Sequence, residues 1–427
     1  MKKNFSLFGL PEKVKFCSSC VISNQRPNSV VEFKNTNNIK SGINIYENRC
    51  EACKYSAIKE DIDWDKRESD LIKLLSKYKK KTGYDCVVPG SGGKDSAYTA
   101  HILKYKYGMN PLTVTWAPHL YTDIGWRNFT NWIHVGGLDN ILFTPNGKLH
   151  RLLTKLSFEN LLHPFQPFII GQRIIGPKIA NRFNIPLVIY GENQAEYGNN
   201  INENYNPLMD ADFYSNNEND QINFGGIELN EIIKTHGFRM NDFDPYLPLN
   251  RSETKDKNIK EFYLGYFLRW DPQECFYYAS KNTGFKSNTE RTEGSYSKYS
   301  SIDDKIDPFH YYTAYTKFGY GRCTDHTSKD IRLGIMKRDQ GIKLVKKYDH
   351  VKPQESLKHF LDFTGISEDE FDKIADKFRD NRVWWIERNQ WFKNTIWGEP
   401  ESYGEVRLNE QERKKYKNCR ILNEKRN

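Results

Sequence analysis

The chain has 427 residues, of which 37% are hydrophobic, and its 64 basic and 55 acidic side chains give a formal net charge of +9. It is long enough for two or three domains, and no apolar run reaches the roughly 18 residues that a membrane span needs. Met1–Pro11 has neither the apolar stretch nor the cleavage site of a signal peptide, so we expect a cytoplasmic protein. The modest positive excess suits phosphorylated substrates and leaves tRNA open as a partner.

Four of the eight cysteines form two Cys-x-x-Cys pairs near the start of the chain: Cys17 with Cys20, and Cys50 with Cys53. In a reducing compartment, two such turns present the four thiolates of a tetrahedral structural zinc site. The long segment between the pairs is predicted as a hairpin of Val30–Phe33 and Ile43–Tyr46. We therefore predict a zinc-ribbon-like domain at residues 1–60, with an iron–sulfur cluster or redox dithiols as the alternative.

A connecting amphipathic helix is predicted at residues 61–81, where apolar side chains lie on one side and lysines on the other. Cys86–Val88 then forms a short buried strand, a glycine-rich loop follows it, and a helix begins at once, capped by Asp95 or Ser96. Strand, loop and helix N-terminus leave several backbone N–H groups aimed at one spot. That arrangement suits a phosphate group.

The order of residues distinguishes this loop from a Walker A motif. Walker A requires Gly-Lys followed directly by Ser or Thr, whereas Asp95 separates Lys94 from Ser96 here. The run Ser91–Ser96 instead resembles the SGGxDS loop of the PP-loop ATP pyrophosphatases, which bind ATP on a doubly wound sheet and cleave it between the α and β phosphates. The alternative is a glycine turn without a ligand. The resemblance implies an ATP site formed by Ser91, Gly92, Gly93, Lys94, Asp95 and Ser96.

Alternating strands and helices continue beyond the loop, as a doubly wound α/β fold requires. We predict strands at Leu112–Ala117, Ile141–Thr144 and Ile185–Tyr190, and helices at Trp126–Ile133, Leu149–Leu162 and Gly171–Phe183. Ligands of parallel sheets bind beyond the carboxyl ends of the strands. The residues expected at the same crevice as the loop are therefore Trp116, Gly191, Glu192 and Asn193. Glu192 is a candidate for holding Mg²⁺ or orienting the substrate, and a helix cap explains it equally well.

Residues 197–225 are dominated by Asn, Asp and Glu and are predicted as an insertion, a candidate lid in the α/β domain of residues 82–340. Tyr263–Trp270 is predicted as a strand. Residues 341–427 are predicted as a helical C-terminal region. Within it, Ser356–Asp380 forms two helices broken at Gly365, and Asn409–Asn427 forms a solvated helix.

Residues 290–334 are dense in Ser, Tyr, Lys, Arg and Asp and poor in aliphatic side chains, a composition typical of a polar binding surface. Lys317 and Arg322 flank a Gly-Tyr-Gly turn and are candidates for contacting phosphate or carboxylate. Asp303 and Asp304 are candidates for holding Mg²⁺ or positioning an amine. Taken singly, each of the four is also explained by an ordinary surface salt bridge.

With these segments in order, the chain resembles the N-acetyl sugar amidotransferases of pseudaminic acid, legionaminic acid and B-band O-antigen biosynthesis. The resemblance is carried by the cysteine pairs, Ser91–Ser96, Tyr190–Asn193, and above all by Arg291–Lys305 and Lys317–Arg322. It implies that ATP activates the carbonyl oxygen of a sugar acetamido group and that ammonia displaces AMP, which leaves an acetamidino group. The cofactors it implies are ATP, Mg²⁺ and structural Zn²⁺.

The residue types in the glycine-rich loop suit this chemistry. Lys94 would absorb charge on the departing pyrophosphate, Asp95 would bind the metal or orient the loop, and Ser91 and Ser96 would donate to phosphate oxygens. Lys317 and Arg322 complete the catalytic candidates. The chain shows no glutaminase signature, so ammonia would come from separate glutaminase and synthase subunits like those of histidine biosynthesis. The Pro89–Gly90 pair and the acidic insertion depart from the family pattern, and the insertion leaves the sugar's identity open.

Two other interpretations remain. A PP-loop enzyme that modifies tRNA, by thiolation or lysidine-type ligation, would also combine ATP activation, paired cysteines and positive charge. It would need a dense basic surface and usually a catalytic cysteine, and neither Cys86 nor Cys323 is obviously placed for that, so nucleic acid is not the expected partner. An inactive zinc-ribbon scaffold is the third interpretation, and the intact Ser91–Ser96 loop argues against it.

Overall fold

The computed structural model describes residues 14–25, 43–192, 194–197, 206–211, 214–217 and 221–420. The chain begins with a small cysteine module, in which a short antiparallel hairpin leads into a helix: β1 (Ile45–Tyr46), β2 (Arg49–Cys50) and α1 (Glu51–Ile58). The predicted strand Val30–Phe33 lies outside the described residues. The predicted connecting helix is α2 (Trp64–Ser76), capped by the Asp63 side chain and buried through Leu71 and Leu75.

The centre of the molecule is a five-stranded parallel sheet, as predicted. Its strands are β3 (Cys86–Pro89), β4 (Pro111–Trp116), β5 (Asp139–Phe143), β6 (Leu187–Tyr190) and β11 (Lys260–Tyr263), in the spatial order β11-β6-β3-β4-β5. Val87 pairs with Leu112 on one side and Val188 on the other. The strands β4 and β5 are therefore added on one side of β3, whereas β6 and β11 are added on the other side. This is the topological switch point, where open α/β sheets bind their ligands.

Helices cover both faces of the sheet, because side chains along each buried strand alternate between two apolar cores. Cys86 and Val88 face the first core, whereas Val87 faces the second. The helices in this part of the chain are α3 (Lys94–Tyr105), α4 (Asp123–His134), α5 (Gly147–Leu161) and α6 (Gln166–Phe183). They confirm the predicted alternation of strands and helices, with shifts of a few residues at the ends.

Between β6 and β11 the chain forms short elements that pack beside the sheet. They are a 3₁₀ turn (Gln194–Tyr197), β7 (Ser215–Asn216), β8 (Asn223–Phe224), β9 (Ile227–Glu228), α7 (Leu229–His236), a 3₁₀ helix (Met240–Tyr246), β10 (Leu249–Asn250) and α8 (Arg251–Asp256). Much of the predicted insertion at residues 197–225 lies outside the described residues. Its described part includes β7, β8 and part of the 3₁₀ turn.

The strand predicted at Tyr263–Trp270 is wrong beyond its first residue. β11 ends at Tyr263, and the apolar residues that follow form α9 (Leu264–Phe267). The backbone N–H of Gly265 donates to the carbonyl of Gly191, which ties this turn to the end of β6. A short apolar run fits a buried helical turn as well as a strand, so periodicity did not distinguish the two.

The C-terminal region is helical, as predicted. Its helices, preceded by α10 (Pro272–Asn282), are α11 (Pro308–Phe318), α12 (Arg322–Arg332), α13 (Arg338–Tyr348), α14 (Leu357–Thr364), α15 (Glu368–Lys377) and α16 (Glu410–Arg413). The predicted break at Gly365 is present, and Ser367 and Glu370 form a reciprocal N-terminal cap. In the described part of Asn409–Asn427, α16 is followed by one 3₁₀ turn at which Tyr416 is buried, so the predicted solvated helix is interrupted there.

The region also contains an antiparallel sheet that the sequence analysis did not anticipate. Its strands are β12 (Trp384–Glu387), β13 (Gln390–Lys393) and β14 (Glu401–Glu405). Trp384 and Trp391 are fully buried in its core. Across the described residues, none of the helices has the combination of length and apolar character needed to cross a bilayer.

Candidate active site

A cavity of about 910 Å³ lies where β3 and β6 end, beside the switch point of the sheet. Most of its lining comes from four parts of the chain: the glycine-rich loop with the start of α3, the segment after β6, residues 269–273, and residues 296–333. The cysteine module contributes Ser56, Lys59 and Glu60. The cavity therefore collects polar side chains from segments far apart in sequence.

The glycine-rich loop adopts a backbone that side chains would block. Gly92 has φ +80°, and a Cβ atom there would lie 2.9 Å from the Cα of Phe129. A Cβ on Gly90 would lie 2.1 Å from that of Ser96. Only glycine can take the left-handed conformation this close to another helix.

The helix after the loop begins differently from the prediction. Its N-cap is Gly93, which provides no side-chain hydrogen bond, whereas Asp95 or Ser96 was expected as the cap. The Ser96 hydroxyl donates instead to the Gly93 carbonyl at 3.1 Å. A helix start without a side-chain cap leaves its first amides for an anion, and the helix dipole adds to the attraction.

Lys94 and Asp95 form an ion pair at the floor of the cavity, where the lysine side chain is 11% exposed. Burial alone would lower the pKa of Lys94, but the carboxylates of Asp95 and Glu192 outweigh it and raise that pKa, so the lysine stays charged. Asp95 Oδ1 is buried and has no hydrogen-bond partner among the described residues. A carboxylate oxygen of this kind fits a hard cation such as Mg²⁺.

Asp303 brings residues 296–333 beside the glycine-rich loop: its carboxylate and the Ser91 side chain line the same cavity, and Ser91 is close enough to favour the charged carboxylate. Burial and the nearby Asp307 carboxylate raise the pKa of Asp303 to about 6, against the opposing effect of Ser91. Gly125 at the start of α4 lets Asp303 approach, since a Cβ there would lie 2.5 Å from the Cα of Asp303.

Trp116 does not face the crevice, which corrects the prediction. It is 2% exposed, and its ring stacks on Phe143 with centroids 5.1 Å apart and meets Tyr246 edge-on at 5.2 Å. A Cβ on Gly171 would lie 2.3 Å from the indole, so α6 leaves this space for the ring. Gly191 and Glu192 do follow β6 as expected, and Glu192 lines the cavity. Asn193 lies outside the described residues.

Three further candidates lie behind the cavity wall. Asp304 is 5% exposed and accepts hydrogen bonds from the backbone of His119 and Leu120. Lys317 is also buried, and its Nζ donates to the Leu161 carbonyl at 2.8 Å. Arg322 forms a buried ion pair with Asp307 and lies 4.0 Å from the ring centre of Tyr311. Of the four candidates in residues 290–334, the structure brings only Asp303 to the cavity surface.

Side chains that were not among the predicted site residues form hydrogen bonds with the segment after β6. The Nζ of Lys59 donates to the Glu196 carboxylate at 2.6 Å and to the Trp270 carbonyl at 2.5 Å. Arg332 donates to the backbone carbonyl of Glu196 at 2.8 Å. All four residues line the cavity. No local sequence motif predicts this role of Lys59, because its partners lie more than a hundred residues away in the chain.

The four paired cysteines come together as predicted. Their sulfur atoms are buried and lie within 4.8 Å of one another, with Cys17–Cys53 at 3.8 Å and Cys20–Cys50 at 3.7 Å. Sulfurs on a tetrahedral zinc ion, each about 2.3 Å from the metal, would be about 3.8 Å apart, whereas a disulfide requires about 2 Å. The residues therefore fit a four-thiolate metal site. Arg338 of α13 donates to the carbonyls of Cys20 and Cys17, which holds the module in place.

Part of the chain that lines the cavity matches a known protein family. Residues 293–396, about a quarter of the chain, match the family described as LPS biosynthesis protein WbpG-like, C-terminal domain. No curated protein matches the chain. Among solved structures, the NMN synthetase from Francisella tularensis is similar at 11% identity with a TM-score of 0.27, over 71% of this chain and 94% of that one. The matched family segment includes Asp303 and the other cavity residues up to Leu333.

Proposed function

We propose that this protein is an ATP-dependent amidotransferase of bacterial surface-sugar biosynthesis. In this proposal the carbonyl oxygen of an N-acetyl group attacks the α phosphate of ATP and pyrophosphate leaves. Ammonia then adds to the activated carbon, AMP leaves with the former carbonyl oxygen, and an acetamidino group remains. The substrate is an N-acetylated nucleotide sugar or nonulosonic acid.

One observation carries the proposal. The glycine-rich loop at the switch point lines the same cavity as residues 296–333. These residues belong to the segment 293–396, which matches the WbpG-like LPS biosynthesis domain. A nucleotide bound by the loop and a sugar bound by that segment would therefore share one space. Adenylation requires this proximity, because bringing the carbonyl oxygen to the α phosphate is the main contribution a protein can make.

The side chains at the loop suit the charge changes of adenylation. Lys94 stays charged although its side chain is largely buried, so it can stabilise negative charge on the departing pyrophosphate. Bound Mg²⁺ would neutralise the phosphates, and Asp95 with Glu192 would hold it. Ser91 lies beside the Asp303 carboxylate at the cavity surface, where its hydroxyl can donate to a phosphate oxygen. Lys317 and Arg322 lie behind the cavity wall, so in this proposal they stabilise the wall and do not contact the substrate.

The ammonia would be supplied by separate glutaminase and synthase subunits. We base this part of the proposal on the family resemblance and on the absence of a glutaminase signature in the sequence. Ammonium at high concentration should replace these subunits in the test tube.

The cysteines weigh against the alternative of tRNA thiolation. All eight are buried, and burial together with the Asp349 carboxylate raises the pKa of Cys323, the one scattered cysteine within the polar stretch of residues 290–334. A sulfur carrier needs an accessible thiol of low pKa. Cys86 lies fully buried within β3 and offers no better candidate.

The proposal is tested by incubating the purified protein with ATP, Mg²⁺, ammonium and a panel of N-acetylated nucleotide sugars and nonulosonic acids. We expect release of AMP and pyrophosphate that depends on the sugar. High-resolution mass spectrometry should show the small mass decrease that accompanies replacement of oxygen by NH. Release of ADP, or AMP release that is stimulated by tRNA and not by sugars, would refute it.

A further inference from the structure

A histidine–serine pair lies on the cavity wall opposite the glycine-rich loop, and the steps above do not use it. The Nδ1 atom of His326 is 2.6 Å from the Oγ of Ser295, and Ser295 is fully buried. The backbone N–H of Ser297 also reaches this oxygen, at 3.4 Å. The serine therefore fixes one ring nitrogen from behind, while the histidine itself lines the cavity.

The hydrogen bond that the described residues make to this ring is the one between Ser295 and Nδ1, and the partly exposed ring lines the cavity with its other nitrogen, Nε2, outside that bond. The edge of the Tyr296 ring lies against the imidazole, with centroids 6.3 Å apart at an interplanar angle of 85°. One nitrogen is thus held and the other left for a ligand. This is the arrangement by which a second group orients a proton-transferring histidine.

The charges around the ring keep it neutral. Burial lowers the pKa of His326 to about 3, and Arg322, Lys329 on the same helix and Lys94 across the cavity act in the same direction. Asp325 is the one group that opposes them. Phosphates bound at the loop would offset these cations and raise the basicity of the ring. Without substrate the ring is neutral but a weak base, so its ability to accept a proton depends on this rise in pKa when the phosphates bind.

The amination step produces such a proton. When ammonia adds to the adenylated carbon, a C–N bond forms and the new nitrogen carries a positive charge. That nitrogen must lose one proton before it can donate its electron pair to the carbon. The C–O bond to AMP then breaks, AMP takes the bonding electrons, and the amidinium product forms. The step needs a base and no oxidant or reductant.

We propose that His326 is this base: its Nε2 atom accepts the proton from the added ammonia, and Ser295 is the positioning residue that orients the ring. The proposal rests on the proposed amidotransferase function and extends it, since it assigns the second half-reaction to α12. Adenylation itself remains the work of the loop.

The two half-reactions can be measured separately. Exchange of radioactive pyrophosphate into ATP in the presence of sugar reports adenylation, and mass spectrometry reports amidine formation with ammonium. For His326→Gln we expect exchange within about twofold of wild type, and amidine formation slower by about 10²- to 10⁴-fold. Ser295→Ala should slow amidine formation by about tenfold with unchanged exchange. His359→Gln, at an exposed histidine in the same matched segment, is the control and should change neither rate.

A second variant separates chemistry from folding. In His326→Gly, added imidazole should restore part of the amidine formation, which a purely structural role of the ring would not allow. If exchange and amidine formation fall in parallel in His326→Gln and imidazole restores neither, His326 is not the base. If the wild type shows no sugar-dependent exchange, the proposed function fails first, and this inference with it.

Discussion

Lys94 and Asp95 occupy neighbouring positions of the chain and yet depend on each other chemically. The carboxylate keeps the buried lysine charged, and the lysine occupies only one of the two carboxylate oxygens. The other oxygen, Oδ1, is a buried acceptor without a described partner, which costs free energy unless a ligand meets it. An ion pair with one unsatisfied oxygen is therefore better explained by a ligand site than by stability.

Asp95→Asn tests this interpretation. The variant keeps the shape of the side chain but removes the charge that holds Lys94 and would hold Mg²⁺. We expect sugar-dependent pyrophosphate exchange to fall by about 10²- to 10³-fold, while the thermal unfolding midpoint stays within a few degrees. Asp256→Asn, at an exposed aspartate on α8, is the matched control. Unchanged exchange in Asp95→Asn would remove Asp95 from the mechanism.

Asp303 makes a prediction about stability and pH. Its pKa in the folded protein, about 6, is above the ordinary value of 3.8, so the folded state binds the proton more tightly than the unfolded state. Stability should therefore fall as pH rises from about 4 to 6, and the full cost of ionising Asp303 remains above pH 6. Replacing it with Asn should stabilise the protein by about 1–2 kcal/mol at pH 7.5 and by little at pH 4.

Denaturant unfolding at the two pH values measures this difference, with Asp256→Asn again as the control. We expect Asp303→Asn to lose amidotransferase activity as it gains stability, since a group kept at a cost to folding is usually kept for function. Equal stabilisation at pH 4 and pH 7.5 would show that the Asn side chain acts through packing and not through charge.

The sequence predicted residues well where chemistry depends on local order. Ser91–Ser96 carries its glycines and charges within one turn, and the structure places that turn at the cavity. Trp116 was mispredicted because the last residue of a strand may point to either face, and here Gly171 opened the second core to its ring. Asp304, Lys317 and Arg322 were identified as a polar cluster, but their partners His119, Leu161 and Asp307 are set by tertiary contacts.

At the scale of elements, the segment after β6 is the point where three parts of the chain meet. Its 3₁₀ turn packs against α1 of the cysteine module. Lys59 holds the Glu196 side chain, and Arg332 of α12 holds the Glu196 backbone. This segment begins with Gly191 and Glu192 at the mouth of the cavity. Its position should therefore depend on contacts from outside the α/β sheet.

Lys59→Met removes one of these contacts and leaves the Glu196 carboxylate without it. Because both side chains are largely buried, at 5% and 17% exposure, we expect a loss of about 1–3 kcal/mol in unfolding free energy. Hydrogen exchange at residues 191–197 should become faster, and the KM for ATP should rise. Lys73→Met is the control, since the Lys73–Asp70 pair on α2 is exposed and should contribute less than about 0.5 kcal/mol. Unchanged exchange at residues 191–197 would show that Lys59 does not hold the turn.

Elements with a strong period were predicted, and elements made by long-range pairing were not. The strands and helices from β3 to β6 carry clear apolar patterns, so the sequence located them within a few residues. The sheet β12-β13-β14 was not predicted, although its strands are as long as β3 and β6, because the burial of Trp384 and Trp391 against Tyr315 and Tyr416 is what defines it. Tertiary packing decides such strands more than propensity does.

At the scale of the whole molecule, the cavity is completed by parts that lie before and after the α/β sheet in sequence. The cysteine module and the residues just after it provide part of the lining, and the segment matching the WbpG-like domain provides another part. Arg338 joins these two parts directly through the carbonyls of Cys17 and Cys20. The four-cysteine cluster thus belongs to a module that contributes to a cavity which the cysteines themselves do not line.

This arrangement predicts that the metal controls nucleotide binding from a distance. Elemental analysis should find about one zinc per chain, as four thiolates at these separations require. Cys50→Ser should lower the metal content and the unfolding midpoint, because α1 begins at this cysteine and carries Ser56 into the wall just ahead of Lys59. We expect the Kd for ATP, measured by calorimetry, to rise by about tenfold or more, since freeing Lys59 releases the turn beside Glu192. Cys419→Ser, at a buried cysteine remote from the module, should leave the metal content and the Kd unchanged. Iron together with visible absorbance would show that the cysteines hold an iron–sulfur cluster and not zinc. An unaltered Kd in metal-free Cys50→Ser protein would show that the module and the cavity are independent.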